Sequence, residues 1–295
     1  MVSMLAVRLL PLGLVLLLAP QLSAQAKEND LAAPVIATPA LGPTLGVGER
    51  MIFQARWKFF SRAGRINVFA DDQAADGEKP VLPVTGAPPL RIRVDVSSDG
   101  VIARLYDYHA SGETFFDRVT GQMLYAKYQS TTGSKREDRS ITFDLDKRIA
   151  HYRDSLVPKR NADIPLPPGD PLDLITCLVT ARRWNLQPGD TRDIVVLADK
   201  RFYPLRLRAL RRESIKASLG TFDSVLVVPE PIGPATGMFR KGGAMRIWIE
   251  DTPRALPLRV EVKVPVGTVT ADLVEYQPPI ALAGTGAGAA LRAKD

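Results

Sequence analysis

The chain has 295 residues, with 39 Lys and Arg against 32 Asp and Glu, a net charge of +7, two histidines and a single cysteine. One cysteine excludes an internal disulfide framework, and a mild, interspersed basic excess permits contact with an anionic surface without demanding one. The length is enough for a hydrophobic core without staples, as one large β domain or two closely packed lobes.

The first 26 residues read as an export signal. Arg8 is the only charge before Lys27, Leu9 to Ala19 is almost wholly apolar, and Ala24-Gln25-Ala26 places small residues where a signal peptidase cuts. That apolar run is short for a bilayer span, and no later run is long enough, so no transmembrane span is expected after cleavage. Periplasmic placement follows as an expectation, with association to the outer membrane allowed, and a nucleic-acid partner is not expected. Residues 27–45, rich in Ala and Pro, read as a flexible leader.

From Glu49 to Phe60 the sequence predicts one strand. Met51, Phe53, Ala55, Trp57 and Phe59 fall on one face, and Arg50, Gln54, Arg56 and Lys58 on the other. Arg62-Ala63-Gly64 reads as a turn, after which Ile66, Val68 and Ala70 resume the alternation. Residues 71–88, with acids, Gly and Pro, read as a loop. Leu90, Ile92, Val94 and Val96 mark the next strand, closed by the turn dipeptide Asp99-Gly100. Residues 101–108 fit either a strand or a short helix. Further strands are predicted at 113–117, 122–129, 138–144 and 148–154. The spacing predicts one main helix over about 170–184, with Asp170 as N-cap, Pro171 in the first turn, and Leu174, Ile175, Leu178 and Val179 on one face. Strands follow near 191–198, 201–213, 219–229, 238–249, 257–264 and 267–276. A single β-rich domain over 46–277 and a mobile Ala/Gly-rich tail over 278–295 complete the organisation. The expected fold is mainly β: a strongly curved antiparallel sheet, or an incomplete or closed β-barrel, with that helix on its concave side.

Chemistry is sparse. His109 and His151 are far apart, and without cysteine pairs no metal site or cofactor is expected. No nucleophile elbow, phosphate loop or dinucleotide fingerprint occurs. Cys177, with no basic neighbour in sequence, reads as a small core residue. Asp144, Asp173 and Asp251 are the acids weighed for an envelope hydrolase or glycan-modifying enzyme, with turn and helix capping as the simpler reading. No catalytic residue is assigned. Trp57, Phe59 and Trp248 are candidate walls for an apolar or amphipathic ligand. Arg201, Arg206, Arg208, Arg211 and Arg212 form a basic stripe, read either as a solvated outer face or as a contact for anionic lipid head groups.

In order along the chain stand Gly48-Glu49, Trp57, Gly64, Phe143-Asp144, Asp170-Pro171-Leu172-Asp173, Leu186-Gln187-Pro188-Gly189-Asp190, Gly220-Thr221-Phe222, Arg246-Ile247-Trp248-Ile249-Glu250-Asp251 and Arg254-Ala255-Leu256-Pro257-Leu258-Arg259. With these pieces the segment from Gly46 to Tyr276 resembles the domain of unknown function 3108 family of exported bacterial proteins. The strand-turn-strand around Trp248 and Pro257 is also similar, more loosely, to the half-barrels of periplasmic lipoprotein carriers. The resemblance implies a β-rich fold and periplasmic or outer-membrane-associated placement, and brings no catalytic residues. The leading expectation is a non-enzymatic periplasmic protein that binds a lipid or an envelope protein. The alternatives are the carboxylate enzyme and a structural scaffold that pairs a sheet edge with another envelope protein.

Overall fold

The structure, a computed structural model, describes residues 45–72, 89–118, 120–233, 244–264, 267–280 and 291–292. The expected export signal, nearly all of the leader, and most of the 71–88 loop lie outside these residues. Period-two alternation becomes strand along almost the whole described chain. The first series is β1 (Arg50–Trp57), β2 (Phe60–Asp71), β3 (Leu90–Ser98), β4 (Tyr108–Phe116), β5 (Met123–Thr132), β6 (Lys135–Asp144), β7 (Ile149–Asp154) and β8 (Ala162–Pro165). The second is β9 (Thr191–Ala198), β10 (Arg201–Ala217), β11 (Gly220–Pro231), β12 (Ala244–Glu250), β13 (Pro257–Val264) and β14 (Gly267–Gln277), with a two-residue β15 (Leu291–Arg292) from the tail paired to β14. Helix α1 is Gly100–Leu105 and helix α2 is Leu174–Thr180, continued by a 3-10 turn over Ala181–Trp184.

All the strands join one antiparallel sheet in the order β8 through β1, then β14 through β9, so that two meanders meet where β1 pairs with β14. The sheet is not closed. Its two ends, β8 and β9, belong to consecutive segments of chain, and Leu172 between them makes a parallel bridge to Val196 of β9. Up-and-down connectivity gathers alternate turns on each rim. The upper rim carries the β1–β2 turn, α1 and the β5–β6, β7–β8, β9–β10 and β13–β14 connections.

The main core draws Met51, Phe53 and Ala55 of β1, Ile66, Val68 and Ala70 of β2, and Ile92, Val94 and Val96 of β3 into one cluster with Ile141, Phe143 and Tyr152. Cross-strand register keeps these rows on one face. A second cluster covers β9–β13 through Ile194, Leu205, Val225, Ile247 and Val260. Helix α2 and its 3-10 continuation serve both: Val179 belongs to the first cluster, whereas Cys177, Leu178 and Ala181 belong to the second. A short helix with two opposed apolar sides is stable here because packing, not length, holds it.

Two local expectations are corrected and one open reading is decided. The strand predicted over 49–60 is a hairpin: Trp57 pairs with Phe60, Lys58 and Phe59 form a two-residue turn, and Arg62-Ala63-Gly64 lies inside β2. Lys58 adopts a left-handed φ of 52°, an uncommon choice for a residue with a Cβ, so the sequence carries none of the usual turn residues. The helix over 170–184 starts later, with Asp173 rather than Asp170 as its N-cap, because only Asp173 has a partner three residues on that completes a capping box. Residues 101–108, open between strand and short helix in sequence, divide: α1 ends at Leu105 and β4 starts at Tyr108. Asp99 accepts from the Gly100 N–H at 2.7 Å, and a Cβ on Gly100 would meet the Arg62 carbonyl oxygen at 2.8 Å.

Candidate functional site

The inner face of the first meander changes character toward the upper rim. Below, it is oily. Above, on β5 to β7, the same alternating positions carry Tyr128, Ser130, Glu137, Arg139 and Asp154, with Tyr128 opposite Arg139, Ser130 opposite Glu137 and Arg139 opposite Asp154; Tyr152, opposite Ile141, and Thr114, opposite Ala126, border them from the apolar part. Helix α2 and the β9–β10 turn each insert one carboxylate into this polar layer.

The first is Asp173. Its Oδ1 accepts from the Thr176 N–H at 2.7 Å, and the Thr176 hydroxyl accepts from the Asp173 N–H at 2.9 Å. Its Oδ2 accepts from the Thr114 hydroxyl at 2.9 Å and the Tyr128 phenol at 3.0 Å. One buried carboxylate thus caps the helix and ties it to β4 and β5. Burial, then the Asp173 charge, pushes the Tyr128 phenol well above its ordinary pKa, so it stays a donor.

The second is Asp199, a non-glycine residue at a φ of 55°. It receives Arg139 at 3.0 Å, the Tyr152 phenol at 3.0 Å and Arg160 at 3.2 Å. Arg160 also meets Asp154 at 3.2 Å, and Arg139 pairs with Glu137. Burial works against ionisation of Glu137, but Arg139 and Lys135 outweigh it and hold the carboxyl below its ordinary pKa. Burial likewise opposes the charge on Arg139, and Glu137, Tyr152 and Asp199 more than restore it. These bonds bind β6, β7 and the β7–β8 connection to the β9–β10 turn across the unclosed seam. Arg139 Nε and Thr180 Oγ1 are buried without a hydrogen-bond partner among the described residues.

A separate buried pair lies at the start of β1. Glu49, 1% exposed, meets Arg182 at 2.8 Å, and the Gly46 N–H donates to the same carboxylate at 3.0 Å. Arg182 also donates to the Arg254 carbonyl, and Arg254 pairs with Glu250. Tyr276 is pushed up to about 12 by burial and by Glu49.

The residues singled out in sequence do not converge. Trp57 is buried at the upper rim with Ala63, Ile102 and Val269, stacked on Phe60 at 6.2 Å. Phe59, expected on the core face, is instead 97% exposed at the hairpin turn. Trp248 is buried in the main cluster, on the side of β12 opposite Ile247 and Ile249, with its indole N–H donating to Glu213 at 2.5 Å. Most of the basic stripe is matched by acids. Arg206 pairs with Asp193 at 2.7 Å, Arg208 with Glu230 at 3.1 Å, Arg211 with Glu213 at 2.9 Å and Arg212 with Asp251 at 2.6 Å, while Arg201 is exposed. Of the acids, Asp144 holds the backbone and side chain of Lys147, both at 2.9 Å, in the β6–β7 turn, Asp251 is held by Arg212, and Asp173 caps α2. Cys177 is buried, and burial followed by Asp173 pushes its thiol up to about 12. No group of metal-ligating side chains occurs among the described residues.

The polar layer itself carried a signal that sequence reading passed over. Glu137 and Arg139 stand in step with Ile141 and Phe143, and Tyr128 in step with Ala126, so charged and phenolic groups sit at core parity. Glu49 and Arg182 gave none, because 133 residues separate them.

A family model described as Protein of unknown function (DUF3108) matches residues 75–274, more than half of the chain. The chain belongs to the DUF3108 family. The matched range of this DUF3108 chain takes in the polar layer, α2 and the seam, and starts after β1 and β2. Among solved structures, a β-barrel-like protein of domain of unknown function DUF1849 from Brucella abortus is 9% identical, with 79% of this chain and 98% of that one covered and a TM-score of 0.49. A DUF1089 family protein from Pseudomonas aeruginosa is 14% identical over 57% and 82% of the two chains, with a TM-score of 0.33. A hypothetical protein from Chlamydia trachomatis is 9% identical over 85% and 94%, also at 0.33. No curated protein gives a significant match. Among the described residues no helix is long and apolar enough to cross a membrane.

Proposed function

We propose that this DUF3108 protein is a non-catalytic binding component of the bacterial envelope, working in the periplasm, whose curved sheet holds an apolar or amphipathic ligand. The polar layer carries this reading. Its carboxylates are already bonded to arginines, phenols and backbone amides, and its phenols keep their protons, so little is left to move a proton in a reaction. Below it the wall is oily, and within it Arg139 Nε retains donor capacity that an amphipathic head group would use. The apolar run and cleavage pattern of residues 1–26 support the compartment.

The test is native mass spectrometry, with organic extraction, of the full chain expressed with its leader in a Gram-negative host. The expected result is a co-purified amphiphile whose occupancy falls in Arg139→Leu. Protein that carries no ligand and takes up no fluorescent fatty acid would remove the proposal.

A further inference from the structure

Most of the large apolar side chains exposed among the described residues stand on one rim. Phe59 is 97% exposed, Leu105 66%, Val101 53% and Leu156 53%, all at upper-rim connections; only Leu210 and Ile280 lie elsewhere. Single exposed apolar residues are ordinary on a protein surface. Here three come from two elements built against each other. Helix α1 docks on the first hairpin through Gly100 against Arg62, through Asp99, which meets Arg62 at 3.2 Å and donates its N–H to the Ala63 carbonyl, and through Ile102, which joins the cluster of Trp57, Ala63 and Val269. Because Ile102 faces inward, Val101 and Leu105 are left outward beside the turn that carries Phe59. The turn itself spends a left-handed conformation on Lys58, where Asn or Gly would be cheaper, and so presents a cation and an aromatic ring together.

Charge sets the partner. Lys58 and Arg104 are exposed around these apolar groups, while Arg62 is paired with Asp99, which also caps α1, and the exposed Asp107 faces His109 at 3.0 Å. Apolar side chains on a rigid tip, flanked by Lys58 and Arg104, fit a bilayer surface that carries anionic head groups: the ring and alkyl groups enter the acyl boundary while the cations meet phosphates. We infer that the upper-rim tip formed by Phe59, Val101 and Leu105 docks this protein onto anionic lipid membranes. This surface is distinct from the interior site and from the Arg stripe of β10, whose charges are largely matched by acids.

The experiment reads position 59 directly. Phe59→Cys in the full chain is labelled with an environment-sensitive fluorophore; Cys177 is buried and its thiol is held protonated, so the new thiol takes the label. Vesicles of phosphatidylethanolamine and phosphatidylglycerol in about a 2:1 ratio are compared with pure phosphatidylcholine. The expected result is a blue shift at position 59 on the anionic vesicles alone, suppressed by about 0.5 M salt, with none from a label at Asp146→Cys on the opposite rim. The combined variant Phe59→Ser, Val101→Ser, Leu105→Ser should lower vesicle binding roughly tenfold or more with an unchanged melting temperature. Vesicle association without a shift at position 59 would place the contact elsewhere, including in residues 1–26, and overturn the assignment. So would no association, or a shift that needs only high protein concentration, which would mean self-association. The interior-ligand reading is untouched by any of these outcomes, since it is decided by what co-purifies.

Discussion

Glu49 and Arg182 are the most completely withdrawn ion pair in the molecule's described part, with side chains 1% and 7% exposed. Removing one partner strands the other charge, so Glu49→Gln or Arg182→Met should cost about 3 kcal/mol or more in urea unfolding, while an apolar replacement of both should recover much of that loss. Tyr276 beside them gives a pH signature. Pushed up to about 12, its folded pKa lies above the ordinary phenol value of 10.0, so the folded state holds the phenolic proton more tightly than the unfolded chain. The resulting stabilisation is fully present below about pH 10 and is lost as pH rises toward about 12. Tyr276→Phe should therefore flatten that part of the alkaline unfolding curve. An unchanged curve would mean that another phenol governs it.

At the scale of elements, Asp173 couples a helix to a sheet. Asp173→Ala removes an N-cap and leaves the Thr114 and Tyr128 hydroxyls without their acceptor, at a cost of about 2–4 kcal/mol. Asp173→Asn, which keeps an acceptor oxygen, should cost less by thermal denaturation. The strands of this chain were legible because each needs only local alternation: the predicted 191–198, 257–264 and 267–276 differ from β9, β13 and β14 by at most one residue. The first turn was not. Lys58 and Phe59 continue the alternation of β1 without a break, and only pairing across to β2 decides that the chain reverses there. The capping box was readable in principle as Asp173 and Thr176, but Asp170-Pro171 presented the stronger local pattern. The polar layer needs register across four strands before its members become neighbours, and the partner of Arg139 comes from a turn 60 residues away.

For the molecule as a whole, the unclosed seam is held by side chains rather than by a continuous strand ladder. Asp199 is its centre, with Arg139, Tyr152 and Arg160 converging on it. Asp199→Ala should leave two guanidinium groups short of a partner, destabilise by about 2 kcal/mol, and raise amide exchange selectively in β8 and β9 while β1 to β3 stay protected. Uniformly faster exchange across the sheet would mean that the seam is not a separate unit of opening.

Along the described sheet each strand lies beside its predecessor or successor in the chain, save where β1 meets β14. A polypeptide delivered amino end first thus completes its opening meander long before the mate for its first strand has emerged. During that interval β1 offers a bare hydrogen-bonding margin flanked by Met51 and Phe53, an inviting template for other nascent chains. Holdase protection should matter most in this window, and a message cut short before codon 267 should yield a protein that cells clear rather than keep.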